Sequence, residues 1–102
     1  MTRRISLTVN DRPVQTDYFV QSLIDHTVGG MVEALEGTGP IVNLSVAVEG
    51  VKVIINLNDN AVPINPFVTK IMRNTINGMV SSLKGVGEMN RLSISIQRDI
   101  QA

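Results

Sequence analysis

Cysteine is absent from this chain, which removes disulfides, thiolate metal sites and thiol nucleophiles together and fits a reducing compartment. Tryptophan is absent too, and Tyr18, Phe19 and Phe67 are the only aromatics. None lies in a strand-like stretch, so a sheet that stacks RNA bases on aromatic side chains is not expected. The formal net charge is zero, without the basic excess of a nucleic-acid-binding domain. Apolar residues never run 18 together, so no membrane span is expected. Arg3 and Arg4 imitate a charged leader, but Ile5-Ser6-Leu7-Thr8-Val9 alternates with polar residues and runs into Asn10-Asp11-Arg12, leaving no apolar core for a signal peptide. These absences predict a cytoplasmic protein with neither nucleic acid nor membrane as partner.

Catalytic groups are equally scarce. His26 is the only histidine, and neighbouring Asp25 is expected with it on the solvent side of a helix. No local motif brings serine, histidine and aspartate together. Gly37-Thr38-Gly39-Pro40 and Gly85-Val86-Gly87 follow helix-like stretches, whereas phosphate-cradling loops precede them. No catalytic residue, cofactor or metal is therefore assigned.

What is present is a helix written twice. Thr27-Val28-Gly29-Gly30-Met31-Val32-Glu33-Ala34-Leu35 returns as Thr75-Ile76-Asn77-Gly78-Met79-Val80-Ser81-Ser82-Leu83, an offset of 48 residues that lays 3–50 over 51–98 without a gap. Fourteen of the 48 pairs are identical, against about three expected by chance from ordinary composition, so the chain is an internal duplication. The copies have diverged in charge. Residues 1–50 hold three arginines against six carboxylates, and residues 51–102 hold six basic side chains against three carboxylates. The halves are thus −3 and +3; such charge runs are ordinarily solvated faces, and the alternative is electrostatic pairing of one half with the other, within or between chains.

Period-two alternation places strands at 4–9, 42–48, 51–57 and 91–98, with Ile5, Leu7, Val9, Val42, Leu44, Val46, Val48, Val51, Val53, Ile55, Leu57, Leu92, Ile94 and Ile96 inward. Glu49-Gly50 reads as the turn of a hairpin. Asp17, and Asn65 followed by Pro66, are helix starts. Gly37 and Gly85 are helix stops, predicting helices over 18–36 and 66–84. The resulting βαββαβ order, duplicated, predicts one 102-residue α+β domain of ferredoxin-like type, its antiparallel sheet ordered 4-1-3-2 with both helices on one face. A second arrangement extends Arg12 to Thr16 into a short hairpin strand beside the first strand, mirrored at Asn60 to Ile64. Separately, Ile5 to Val14 resembles the opening hairpin of the plant-type iron-sulfur subunits of molybdenum hydroxylases over ten residues, but the cysteines that hold their clusters have no counterpart here, so neither cofactor nor activity carries over.

Two sets of residues remain as candidates. Asn10-Asp11 and Asn58-Asp59 follow equivalent strands and suit turns, since both residue types tolerate left-handed backbone. One carboxylate per loop is too few oxygen ligands for calcium or magnesium. A ligand site at Asn10, Asp11, Asn58 and Asp59 would make the chain an enzyme or metabolite-binding subunit and expects a concave pocket near Asp11 or Asp59. The other set is a stripe of small residues, Thr27, Gly30 and Ala34 with Thr75, Gly78 and Ser82, fitted to close helix contact inside the monomer or between subunits. Each helix has an apolar arc wider than one sheet face needs, which leaves Val28 and Val32, or Ile76 and Val80, near its edge. The leading expectation is a non-enzymatic homo-oligomer, a dimer, that binds a protein partner or a small molecule.

Overall fold

The computed structural model describes residues 3–35, 40–83, 87 and 90–98. Its elements run β1 (Arg3–Val9), β2 (Arg12–Pro13), α1 (Tyr18–Glu33), β3 (Asn43–Glu49), β4 (Lys52–Leu57), β5 (Asn60–Val62), α2 (Pro66–Ser81) and β6 (Arg91–Arg98). All strands join one antiparallel sheet in the order β2-β1-β6-β3-β4-β5. The α+β class stands, but the ferredoxin-like order does not.

Both arrangements interleave two βαβ units, and they differ in which strands are central. Here β1 and β3 run parallel with β6 between them, while β4 and β6 run parallel with β3 between them. The last strand of each unit is central and the first lies outside it. The cause is the Asn-Asp pair. Asn10, Asp11, Asn58 and Asp59 all have positive φ, from 50 to 68°, and two consecutive left-handed residues close a two-residue hairpin with the twist that flanking strands favour. Val9 therefore pairs with Arg12 and Leu57 with Asn60. β2 and β5 then occupy the strand edges that a 4-1-3-2 sheet would need for other partners. The third hairpin turns on Gly50-Val51, since Glu49 pairs with Lys52 and only Gly50 has positive φ, one residue later than the alternation implies.

The helices start where expected. Asp17 Oδ1 accepts from the Val20 N–H at 2.8 Å, and Asn65 Oδ1 accepts from the Val68 N–H at 2.8 Å. They end earlier than expected, at Glu33 and Ser81. The N–H groups of Leu35 and Leu83 bond back three residues to Val32 and Val80, the tightened turn that satisfies orphan carbonyls at a helix end. Gly37 and Gly85 lie outside the described residues.

The core joins both helices to the inward row of every long strand: Leu7, Leu44, Val46, Ile55, Ile94 and Ile96 against Ile24, Val28, Val32, Met72, Ile76 and Val80, all essentially without solvent contact. Burying such a side chain stabilises the fold by about 1.5–3 kcal/mol, so Val28, Val32, Ile76 and Val80 are central to the core and not at its edge. Val42 and Val51, expected inward, are exposed. Ile41 takes the inward place beside β3, because Val42 lies at the strand entrance with its N–H on Asn58 and its carbonyl on Arg98.

Candidate functional site

The two Asn-Asp turns lie at opposite ends of the sheet and do different work with each residue. Asn10 Oδ1 accepts from the N–H groups of Asn90 and Arg91 at 2.9 and 3.1 Å. Asn58 Oδ1 accepts from Val42 and Asn43, both at 2.9 Å, and its Nδ2 donates to the Pro40 carbonyl. Residues 90 and 91 are 42 and 43 advanced by the repeat, so each turn clasps the incoming end of the other unit's last strand. These asparagines therefore stitch the two repeats together.

Asp11 and Asp59 instead border concavities on the sheet face away from the helices. The first, of ≈ 100 Å³, is lined by Thr8, Asp11, Ala47, Glu49, Arg91, Leu92 and Ser93. The second, of ≈ 290 Å³, is lined by Asn56, Asp59, Ser95, Gln97, Asn43, Leu44 and Ser45. Read in those orders, the two linings correspond position by position through the 48-residue offset. In the first, the Arg91 guanidinium pairs with the Asp11 carboxylate. In the second, Asn43 stands at the arginine's position, Gln97 replaces Glu49, and among the described residues no lysine or arginine lines the space. No ion pair or hydrogen bond engages the Asp59 carboxylate among the described residues.

The opposite side of the molecule presents the outer faces of the helices. Phe19, Leu23, Thr27, Gly30 and Ala34 recur at helical spacing directly away from the sheet, and Phe67, Ile71, Thr75, Gly78 and Ser82 repeat them. Phe19 and Phe67 are each 70% exposed, Leu23 38% and Ile71 43%. A side chain at Gly30 or Gly78 would meet nothing within 4 Å. The small-residue stripe is therefore not where α1 and α2 meet within the chain; it faces outward.

Asp25, expected on the solvent side of α1, lies inside instead. Asp25 is buried, and Arg98, half-buried at the end of β6, reaches over α1 to it. Arg98 Nε and Nη2 lie 2.9 Å from Asp25 Oδ1, and Nη1 lies 2.9 Å from Glu33 Oε1. Burial, the largest influence on the guanidinium, acts to lower its pKa. The hydrogen bonds to Glu33 and Asp25 and the attraction of both carboxylates outweigh it, holding the pKa above the ordinary arginine value. Gly29 is what lets the guanidinium in, since a Cβ there would overlap Arg98 Nη2. The sequence carried a signal: Arg98 continues the inward row Leu92, Ile94, Ile96, and a charge at an inward position needs a partner. The opposite charges of the halves thus meet within the chain at Arg98 with Asp25 and Glu33, and at Arg91 with Asp11.

Among the described residues no three His, Cys, Asp or Glu side chains converge as for a metal ion, and no helix is long and apolar enough to cross a membrane. Comparison with protein-family models, curated proteins and solved structures found no match to this chain.

Proposed function

We propose that the chain is a non-enzymatic cytoplasmic module that works as a homodimer, two copies meeting through the outer faces of their helices. The observation that carries this reading is the graded stripe on both helices. It begins with an exposed Phe and Leu or Ile and ends with Gly and Ala or Ser. Packed antiparallel, α1 of one copy and α2 of the other set Phe19 against Ser82, Leu23 against Gly78, Gly30 against Ile71 and Ala34 against Phe67. Large side chains meet small ones along the whole contact, as ridges meet grooves. A twofold axis parallel to the helices makes this contact twice, because α1 and α2 are antiparallel within each copy.

Charge selects among the symmetric choices. Glu33, which also bonds Arg98 within its own chain, and Lys70 each precede a stripe residue on the same flank, and antiparallel packing of α1 on α2 brings those flanks together, whereas α1 on α1 or α2 on α2 offers no such opposite pair. An exposed pair of this kind is worth about 0.2–1 kcal/mol, so it favours a register and adds little strength. The area is modest. Two helices of 16 residues, about 24 Å long and about 10 Å apart, offer roughly 500 Å² per subunit. The total of about 1,000 Å² is at the lower limit for a specific interface, which fits association at micromolar concentration.

Sedimentation over a micromolar concentration series tests the reading. The wild type should pass from monomer to dimer, and Phe19→Gln with Phe67→Gln should shift the midpoint upward by at least about tenfold. A wild type that stays monomeric throughout refutes it.

A further inference from the structure

We infer that the concavity beside Asp59 is a binding site for a small organic cation of guanidinium type, which takes the place that the Arg91 side chain holds in the sister site. The duplication supplies the template. At residues 90 and 91 the incoming strand is held by Asn10, and at residues 42 and 43 it is held in the same way by Asn58. The backbones on which residues 91 and 43 stand are thus fixed alike relative to their aspartates. In one copy the side chain is a guanidinium paired with Asp11. In the other it is the shorter amide of Asn43, and the concavity is the larger of the two, ≈ 290 against ≈ 100 Å³.

The lining matches a planar cation that donates hydrogen bonds on every edge. Asp59 provides the carboxylate, to which a guanidinium can donate two parallel bonds. Ser45, Ser95, Asn43, Asn56 and Gln97 offer hydroxyl and amide oxygens around it. Among the described residues no basic side chain in the lining competes for Asp59, and no aromatic offers a stacking surface for a flat apolar ligand. The site faces away from the helices, so its occupancy is independent of the self-association proposed above.

The test is an NMR titration of the full-length protein with methylguanidinium, with methylurea as the neutral planar control. Methylguanidinium should shift the backbone amides of Asn43, Ser45, Asn56 and Asp59 saturably, and methylurea should not. Asp59→Asn should weaken the response by roughly tenfold or more. Asn43→Arg, which rebuilds the Asp11–Arg91 pair in this copy, should abolish it while leaving the spectrum of the rest of the sheet unchanged. Equal shifts from methylurea, an undiminished response in Asp59→Asn, or no saturable shift in the wild type would each overturn the inference. Because the titration is read at the sheet, failure here leaves the dimer reading standing, and a monomeric protein that binds methylguanidinium separates the two in the other direction.

Discussion

Gly29→Ala should destabilise the protein even though it improves a helix. In the interior of an exposed helix the change favours folding by about 1 kcal/mol. At Gly29 the added methyl occupies the volume of Arg98 Nη2, the far end of a flexible side chain, so the guanidinium must shift and loosen its 2.9 Å contacts with Asp25 and Glu33. Asp25 is 1% exposed; complete loss of a buried ion-pair partner costs about 3–5 kcal/mol, and a guanidinium displaced but still facing Asp25 forfeits part of that. The net effect should be a loss of up to about 2 kcal/mol. Urea unfolding followed by circular dichroism measures it, with an unchanged slope confirming that the native state alone was altered. A double-mutant cycle isolates the cause. In an Arg98→Ala background the methyl displaces nothing, and Gly29→Ala should become neutral or favourable by up to about 1 kcal/mol. Equal stabilisation by Gly29→Ala in both backgrounds would refute the account of this glycine.

Asn10→Ala and Asn58→Ala should each cost about 1–3 kcal/mol, because two backbone N–H groups lose their acceptor. The Asn→Gly variants should cost less, since glycine retains the positive φ of the turn. Amide exchange should rise at residues 42 and 43 in the Asn58 variants and at 90 and 91 in the Asn10 variants. Gly30→Leu and Gly78→Leu should raise the melting temperature of the dilute monomer, because the space around them is open and leucine is the better helix former. The same substitutions should weaken dimerisation in sedimentation at higher concentration. The Arg98 pKa is raised on folding, so its contribution is fully present below the ordinary arginine value and is lost only as pH rises through the still higher folded one. The stability difference between wild type and Arg98→Met should therefore stay constant from neutral to mildly alkaline pH in urea titrations.

Much of the architecture was legible because the repeat let one half correct the other. Both helix starts follow from Asp17, and from Asn65 with Pro66. The inward rows of β1, β4 and β6 follow from alternation, apart from Val51. Sheet order turns on one point, whether Asn-Asp ends a strand or reverses it. Those residue types serve either purpose, and only the positive φ at both positions commits the chain to a hairpin. Arg12 to Thr16 and Asn60 to Ile64 are the hairpin arms of the second arrangement, and β2 and β5 occupy the first residues of each. Distance in sequence hid the rest. The bridge from Arg98 to Asp25 spans 73 residues, and neither the role of Gly29 nor the burial of Asp25 can be seen without that partner. The correspondence between the two concavities was implicit in the 48-residue offset, but it became visible only when strand order put β3, β4 and β6 side by side at one end and β1, β6 and β3 at the other.

The absence of native cysteine permits a direct test of the proposed dimer. A Leu23→Cys variant and a Gly78→Cys variant, each with one thiol, are mixed at micromolar concentration and oxidised, with Ser45→Cys on the open sheet face as control. Antiparallel packing of α1 on α2 predicts that the mixed disulfide dimer forms in preference to either homodimer, and that the Ser45→Cys variant does not cross-link with either. Cross-linking of Leu23→Cys only to itself, or no disulfide above the control, would contradict it.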